Sequence, residues 1–139
     1  MADIVVTAAK VGAIFPDKAE INDMIAAATI TAGQAVYQDT NGKANLADAN
    51  GSGTLQFRGI ALNGGGAGQA ISVLTRGHVY GFTVSSLNAD VRLYLSNTAG
   101  ALADAAGATT VICGRVVALT DGSLTKVVYV DTAWHHEWA

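Results

Sequence analysis

Apolar and polar positions alternate in short blocks along most of this chain, and nearly every block is cut by glycine or asparagine. From Thr29 onward the blocks Thr29–Thr31, Ala35–Gln38, Leu55–Leu62, Ala70–Thr75, His78–Val84, Arg92–Leu95, Val111–Leu119 and Leu124–Val130 read as strands. Ser72 separates Ile71 from Val73, and Tyr129 separates Val128 from Val130, the period of two that sends successive side chains to opposite faces. Asn41-Gly42, Asn50-Gly51, Asn63-Gly64 and Asp121-Gly122 fall between blocks, where residues tolerant of positive φ allow tight primed turns. Gly64–Gly68 reads as a flexible loop, and Asn97–Thr110 as an Ala/Gly-rich loop with little to anchor it. Short strands with turn signals at roughly 8–12-residue spacing predict an all-β domain, a small antiparallel barrel or sandwich.

The first residues follow different rules. Asp3–Ala8 alternates weakly through Ile4 and Val6, while Lys10–Ala28 holds the only proline, Pro16, and a charge cluster of Asp17, Lys18, Glu20 and Asp23. Ile21, Met24, Ile25 and Ala28 fall at helical spacing and predict one or two helical turns, too short to persist without support. Ala2–Ile14 carries Ile4, Val5, Val6, Val11 and Ile14 with no turn signal before Gly12, which predicts an extended arm. At ~3.3 Å per residue such an arm spans roughly 40 Å, enough to anchor on a neighbouring subunit. The alternative is that Ile4–Thr7 forms a strand of the protein's own barrel. The chain therefore divides into an arm and connector (1–28), a β domain (29–131) and a short C-terminal tail (132–139).

Charge is scarce. Of 139 residues only 14% are Asp, Glu, Lys or Arg while 50% are hydrophobic, against about 25% charged in ordinary soluble domains. A folded monomer of 14.1 kDa exposes on the order of 6,700 Å². Eight basic and eleven acidic residues leave wide uncharged zones on such a surface, which points to burial in an assembly. The net charge of −3, with no two basic residues adjacent, argues against nucleic acid, because phosphate binding needs clustered cations. Cys113 is the single cysteine and lies in the apolar run Val111-Ile112-Cys113, so a buried, inert thiol is expected. The chain has neither the ~20 apolar residues of a membrane span nor a basic-then-apolar leader, features expected of a protein made in a reducing cytoplasm.

No reactive constellation forms on paper. Gly64–Ser72 lacks the lysine and following helix of a phosphate loop, and Gly51-Ser52-Gly53 lacks the third glycine of a dinucleotide turn. His135-His136-Glu137 could begin a metal site, but adjacent histidines on an extended chain point apart and only His78 remains to complete four ligands. Ser72 or Cys113 with His78 could be drawn as a nucleophile pair, yet apolar surroundings disfavour the Cys113 thiolate. Asp17, Glu20 and Asp23 beside Lys18 read as a solvated face, and Asn50-Gly51-Ser52 as a turn. The expectation is a protein that is not an enzyme and needs no cofactor, metal or small-molecule substrate. Trp134 and Trp138 would suit an interface, since aromatic side chains bury large areas with few rotatable bonds, or would fold back on the domain.

Several segments resemble phage capsid cement proteins, also called head decoration proteins. They are Thr31-Ala32-Gly33-Gln34-Ala35-Val36-Tyr37, Gly42-Lys43 with Leu46-Ala47-Asp48, Arg58-Gly59-Ile60-Ala61-Leu62, Gly68-Gln69, and Leu93-Tyr94-Leu95-Ser96-Asn97-Thr98-Ala99-Gly100. The resemblance reaches weakly back to Met1–Ala9 and forward to about Leu119. It implies a structural role on the outer capsid surface of a virion, with the major capsid protein and copies of this chain as partners. A homotrimer at three-fold and quasi-three-fold positions is implied, with no chemistry. Ile4, Val5, Val6, Val11, Ile14, Trp134 and Trp138 are the expected partner-binding residues. The connector Pro16–Asp23 and the Trp-His-His-Glu-Trp tail depart from the family pattern. The rival reading is a carbohydrate- or receptor-binding β-module of a phage appendage, using Tyr80, Phe82 or the tail tryptophans as an aromatic platform.

Overall fold

Ten antiparallel strands join in one hydrogen-bonded sheet that curls into a half-barrel in the computed structural model, which describes residues 2–51 and 53–132. They are β1 (Gly12–Ala13), β2 (Glu20–Ile25), β3 (Ala35–Gln38), β4 (Ala44–Leu46), β5 (Phe57–Ala61), β6 (Ala70–Tyr80), β7 (Arg92–Leu95), β8 (Leu102–Ala103), β9 (Ile112–Ala118) and β10 (Lys126–Asp131). Helical structure among the described residues is confined to two single 3-10 turns, Ala8–Lys10 and Pro16–Lys18. The all-β expectation holds.

Strand β6 organises the molecule. Leu74 lies opposite both Ile21 of β2 and Ile60 of β5, whereas Arg76 lies opposite both Glu20 of β2 and Asp131 of β10. Val79 lies opposite Ala13 of β1 and Val128 of β10. A strand has two edges, so β2 and β1 follow one another along one edge while β5 and β10 follow one another along the other. The changeover occurs at Thr75–Gly77, where the β2–β6 register shifts between Glu20 and Ile21 and leaves Thr75 as the extra residue on β6. A Cβ on Gly77, which has φ of 142°, would lie 2.9 Å from the Cβ of Ala19, so glycine is what lets the connector cross here. Buried Thr75 stitches the crossing, its hydroxyl donating to the Glu20 carbonyl at 3.1 Å.

This arrangement buries both faces of the sheet's first half. Ala35, Ile60 and Leu74 enter the main core with Leu93, Val116 and Val130, while their neighbours Val36, Ala61 and Val73 enter a smaller one. Met24, Ala26, Ile30 and Ala44 close that second core. Adjacent apolar residues such as Ile60-Ala61 and Val73-Leu74 are thus both interior, the sequence pattern of a strand covered on two sides. In the second half β9 buries Cys113, Gly114 and Val116 and exposes Arg115; the register shift against β7 between Leu93 and Tyr94 interrupts the alternation at Cys113.

Several elements differ from the expectation. Of the residues spaced as a helix, Ile21, Met24 and Ile25 lie in strand β2, where Met24 is buried while Ile21 and Ile25 are exposed, and Ala28 lies past its end. Backbone pairing with β6 along six residues supplies more than an isolated helical turn could. Ala70–Thr75 and His78–Val84 are not two strands, because β6 runs unbroken through Arg76-Gly77 to Tyr80. Leu55–Leu62 narrows to β5, and Thr29–Thr31 reduces to one bridge between Ile30 and Gly65. The stretch read as unanchored, Asn97–Thr110, contains β8 and is tied down by Gly100 N–H to the Ala47 carbonyl and Thr109 N–H to the Ala49 carbonyl. The glycine loop at residues 64–68 is also held, with Gly66 N–H donating to Gln69 Oε1 at 2.6 Å.

The N-terminal segment is extended and lies against its own body. Asp3 bridges to Ala103 and Val6 to Phe82. Ile4 N–H donates to the Leu102 carbonyl, Thr7 N–H to the Gly81 carbonyl, and Thr83 N–H to the Val5 carbonyl, each at 2.8 Å. Buried Ser96 donates its hydroxyl to the Asp3 carboxylate. Val11 lies over Gly81, where a Cβ would approach the Val11 side chain to 2.7 Å. The exposed area, 6886 Å², is close to the ~6,700 Å² of a compact monomer.

Candidate functional site

The expected partner-binding residues separate into two groups. Ile4 and Val11 are half-buried and pack on the main core, so their apolar surface already serves the fold. Val6 is also half-buried, over Gly33. Val5, by contrast, is 66% exposed. Ile14 lines a surface groove described below. Trp134 and Trp138 lie outside the described residues, as do His135 and His136.

Besides Val5 and Leu124, the exposed large apolar side chains of the described residues fall in two clusters. One surrounds a shallow groove of about 190 Å³ lined by Ile14, Phe15, Tyr80, Leu119, Thr120 and Asp121. Its walls come from the chain just past β1, the end of β6 and the β9–β10 turn. Ile14 N–H donates to the His78 carbonyl at 3.0 Å, which fixes Phe15 beside β6. The Phe15 ring meets the His78 ring edge-on at 5.2 Å, and His78 meets Tyr129 at 4.9 Å. Lys18 Nζ stands 5.8 Å from the Phe15 ring centre. Burial and then the Lys18 charge hold the His78 imidazole below its ordinary pKa, so it favours the neutral form. Asp121 accepts hydrogen bonds from the Ser123 hydroxyl at 2.6 Å and the Ser123 N–H at 3.0 Å, which lower its carboxyl pKa.

The second cluster is the outer face of β2. Ile21 and Ile25 are 40% and 42% exposed, and Asp23 lies between them with Ser72 Oγ donating to its carboxylate at 3.4 Å. Among the described residues no group of three or more His, Cys, Asp or Glu converges as a metal site would require. Burial pushes the Cys113 thiol well above its ordinary range, and its sulfur faces the Val111 carbonyl at 4.0 Å, so it is a poor nucleophile there.

Of the aromatics offered as alternatives by the sequence, Tyr80 is 46% exposed, Phe82 is half-buried against the main core, and the tail tryptophans lie outside the described residues. Phe15, beside Pro16, was the missed aromatic; an apolar side chain next to a helix-breaking residue is the signal that marks it. Asp121 was read only as a turn residue, and its groove position follows from pairing that no local pattern encodes.

Comparison with protein-family models, with curated proteins and with solved structures finds no match to this chain. No helix among the described residues is long and apolar enough to cross a membrane.

Proposed function

We propose that this protein is a capsid decoration protein, which binds the outer surface of a phage head and stabilises contacts between major capsid protein subunits. The observation that carries the reading is that the segments of resemblance form one structural unit. Thr31–Tyr37 and Arg58–Leu62 meet as β3 and β5, Leu46 pairs with Val36 through β4, and Gly100 N–H reaches Ala47. A low-charge surface with exposed Val5, Phe15 and Tyr80 supports it. The mechanism is mass action: a protein that binds only the assembled shell stabilises that shell. Binding is expected as a homotrimer at three-fold and quasi-three-fold positions. The test is to sediment the purified protein with expanded heads that lack it. Saturable binding with a higher head-opening temperature supports the proposal, and no cosedimentation at saturating protein refutes it.

The groove favours a second reading, binding of a glycan or receptor. Tyr80 and Phe15 offer apolar faces, and Thr120 and Asp121 offer hydrogen-bonding groups beside them. Glycan-array binding lost in Tyr80→Ala, without affinity for heads, would select this reading over decoration.

A further inference from the structure

We infer that the outer face of β7 and β9 binds a carboxylate of an acidic protein segment between Arg92 and Arg115. The inference rests on neither reading above. The sequence scatters its basic residues singly, but strand register gathers two of them. Arg92 lies opposite Arg115, Arg115 opposite Tyr129, and Tyr129 opposite His78, one row across four strands. Directly opposite residues share a face of the sheet. The next residue along each strand, Leu93, Val116, Val128 and Val79, is buried in the main core, so the row faces outward. Arg92 and Arg115 are both exposed.

The pair is complementary to an anion. Cβ atoms directly opposite on antiparallel strands lie about 4.5–5.5 Å apart, and like charges so placed repel. Neither arginine makes an ion pair among the described residues; Arg115 Nη1 donates to the Asp90 carbonyl at 2.9 Å. Arg76, two residues from His78, is already engaged by Asp131 at 3.1 Å and Glu20 at 3.7 Å. A carboxylate accepts two parallel N–H bonds from a guanidinium, so two arginines can hold it from both sides. Flanking charge limits the size of the ligand. Asp131 lies two residues past Tyr129 and Asp90 two residues before Arg92, on opposite sides of the row. A nucleic acid backbone, with charge repeated along its length, would run onto these carboxylates, and the net charge of −3 opposes it further. A single aspartate or glutamate side chain set between the two guanidinium groups meets neither. Tyr129, directly opposite Arg115, offers the rest of that segment an apolar ring to lie on.

The test is a fluorescence anisotropy titration of the full chain into a labelled, blocked peptide in which two adjacent glutamates are flanked by glycine and serine, with a glutamine counterpart as control. The expected result is about fivefold tighter binding of the glutamate peptide at low salt, a difference that fades as ionic strength rises. Arg92→Gln and Arg115→Gln should each reduce that preference. Arg92→Glu should abolish it while keeping the melting temperature at or above that of wild type, because the new carboxylate pairs with Arg115. Equal affinity for the two peptides, a preference that survives Arg92→Glu, or a lower melting temperature in that variant would overturn the inference. So would tighter binding of a single-stranded oligonucleotide than of the glutamate peptide, which assigns the face to nucleic acid. Self-association lost in Arg92→Gln without any peptide preference would assign it to a second copy of the chain and overturn the inference as well.

Discussion

The two edges of β6 lead to regions with opposite characters. Along one, β5 continues a sheet whose two faces enter two separate cores, through Ile60 and Leu74 on one side and Ala61 and Val73 on the other. Along the other, β2 buries Met24 but leaves Ile21 and Ile25 in solvent. The same residue type, isoleucine, is fully enclosed at position 60 and 42% exposed at position 25. Burial of an apolar strand residue is therefore set by what packs against it, which hydrophobicity alone does not report.

The largest expected effect comes from breaking the enclosed region. Ile60→Ala and Leu74→Ala should each cost about 2–5 kcal/mol in chemical denaturation, because each removes a buried side chain and leaves a cavity. Ile25→Ala should stay within about 0.5 kcal/mol of wild type, as exposed substitutions do. Equal losses at Leu74 and Ile25 would erase the distinction between the two regions.

A smaller effect sharpens the comparison at the N-terminal segment, which lies on the body as β2 does yet is tied down by polar bonds. Asp3→Ala removes the acceptor of the Ser96 hydroxyl, a fully buried group, and should cost about 1–3 kcal/mol. Native-state hydrogen exchange should show the Ile4 and Thr7 amides opening first. An unchanged midpoint would mean the segment is loosely held.

The pH response should be smaller again. His78 is held below its ordinary pKa, so as pH falls through about 6.5 the unfolded chain takes a proton that the folded chain resists. Stability should therefore decline from neutral toward mildly acidic pH. His78→Gln should flatten that slope in thermal melts at several pH values, and an unaltered slope would place the titrating group elsewhere. The smallest effect expected is that of chelation: the melting temperature of the full chain should not move, and a shift would give His135 and His136 a role.

Much of the fold was legible because turn chemistry and alternation are local. Ala35–Gln38 and Arg92–Leu95 have the predicted bounds, and Asn41-Gly42 makes the β3–β4 turn, with the Asp39 carboxylate accepting the Asn41 and Lys43 N–H groups at 2.9 and 3.0 Å. What was illegible depends on distant partners. Ile21, Met24 and Ile25 suit a helix by spacing, and only β6 makes them a strand. Gly77 reads as a break between two strands, but it is the small residue that allows one strand to pass Ala19. The candidate surfaces were half visible: Tyr80 and Val5 could be named from the sequence, whereas the Phe15 and Asp121 walls required the chain to fold.

The decoration reading we propose is tested most directly by a cryo-electron microscopy map of phage heads mixed with the purified protein. The account predicts this curled sheet on the outer shell, in threes about the three-fold and quasi-three-fold positions and contacting major capsid protein subunits. Its absence from the shell would contradict the account.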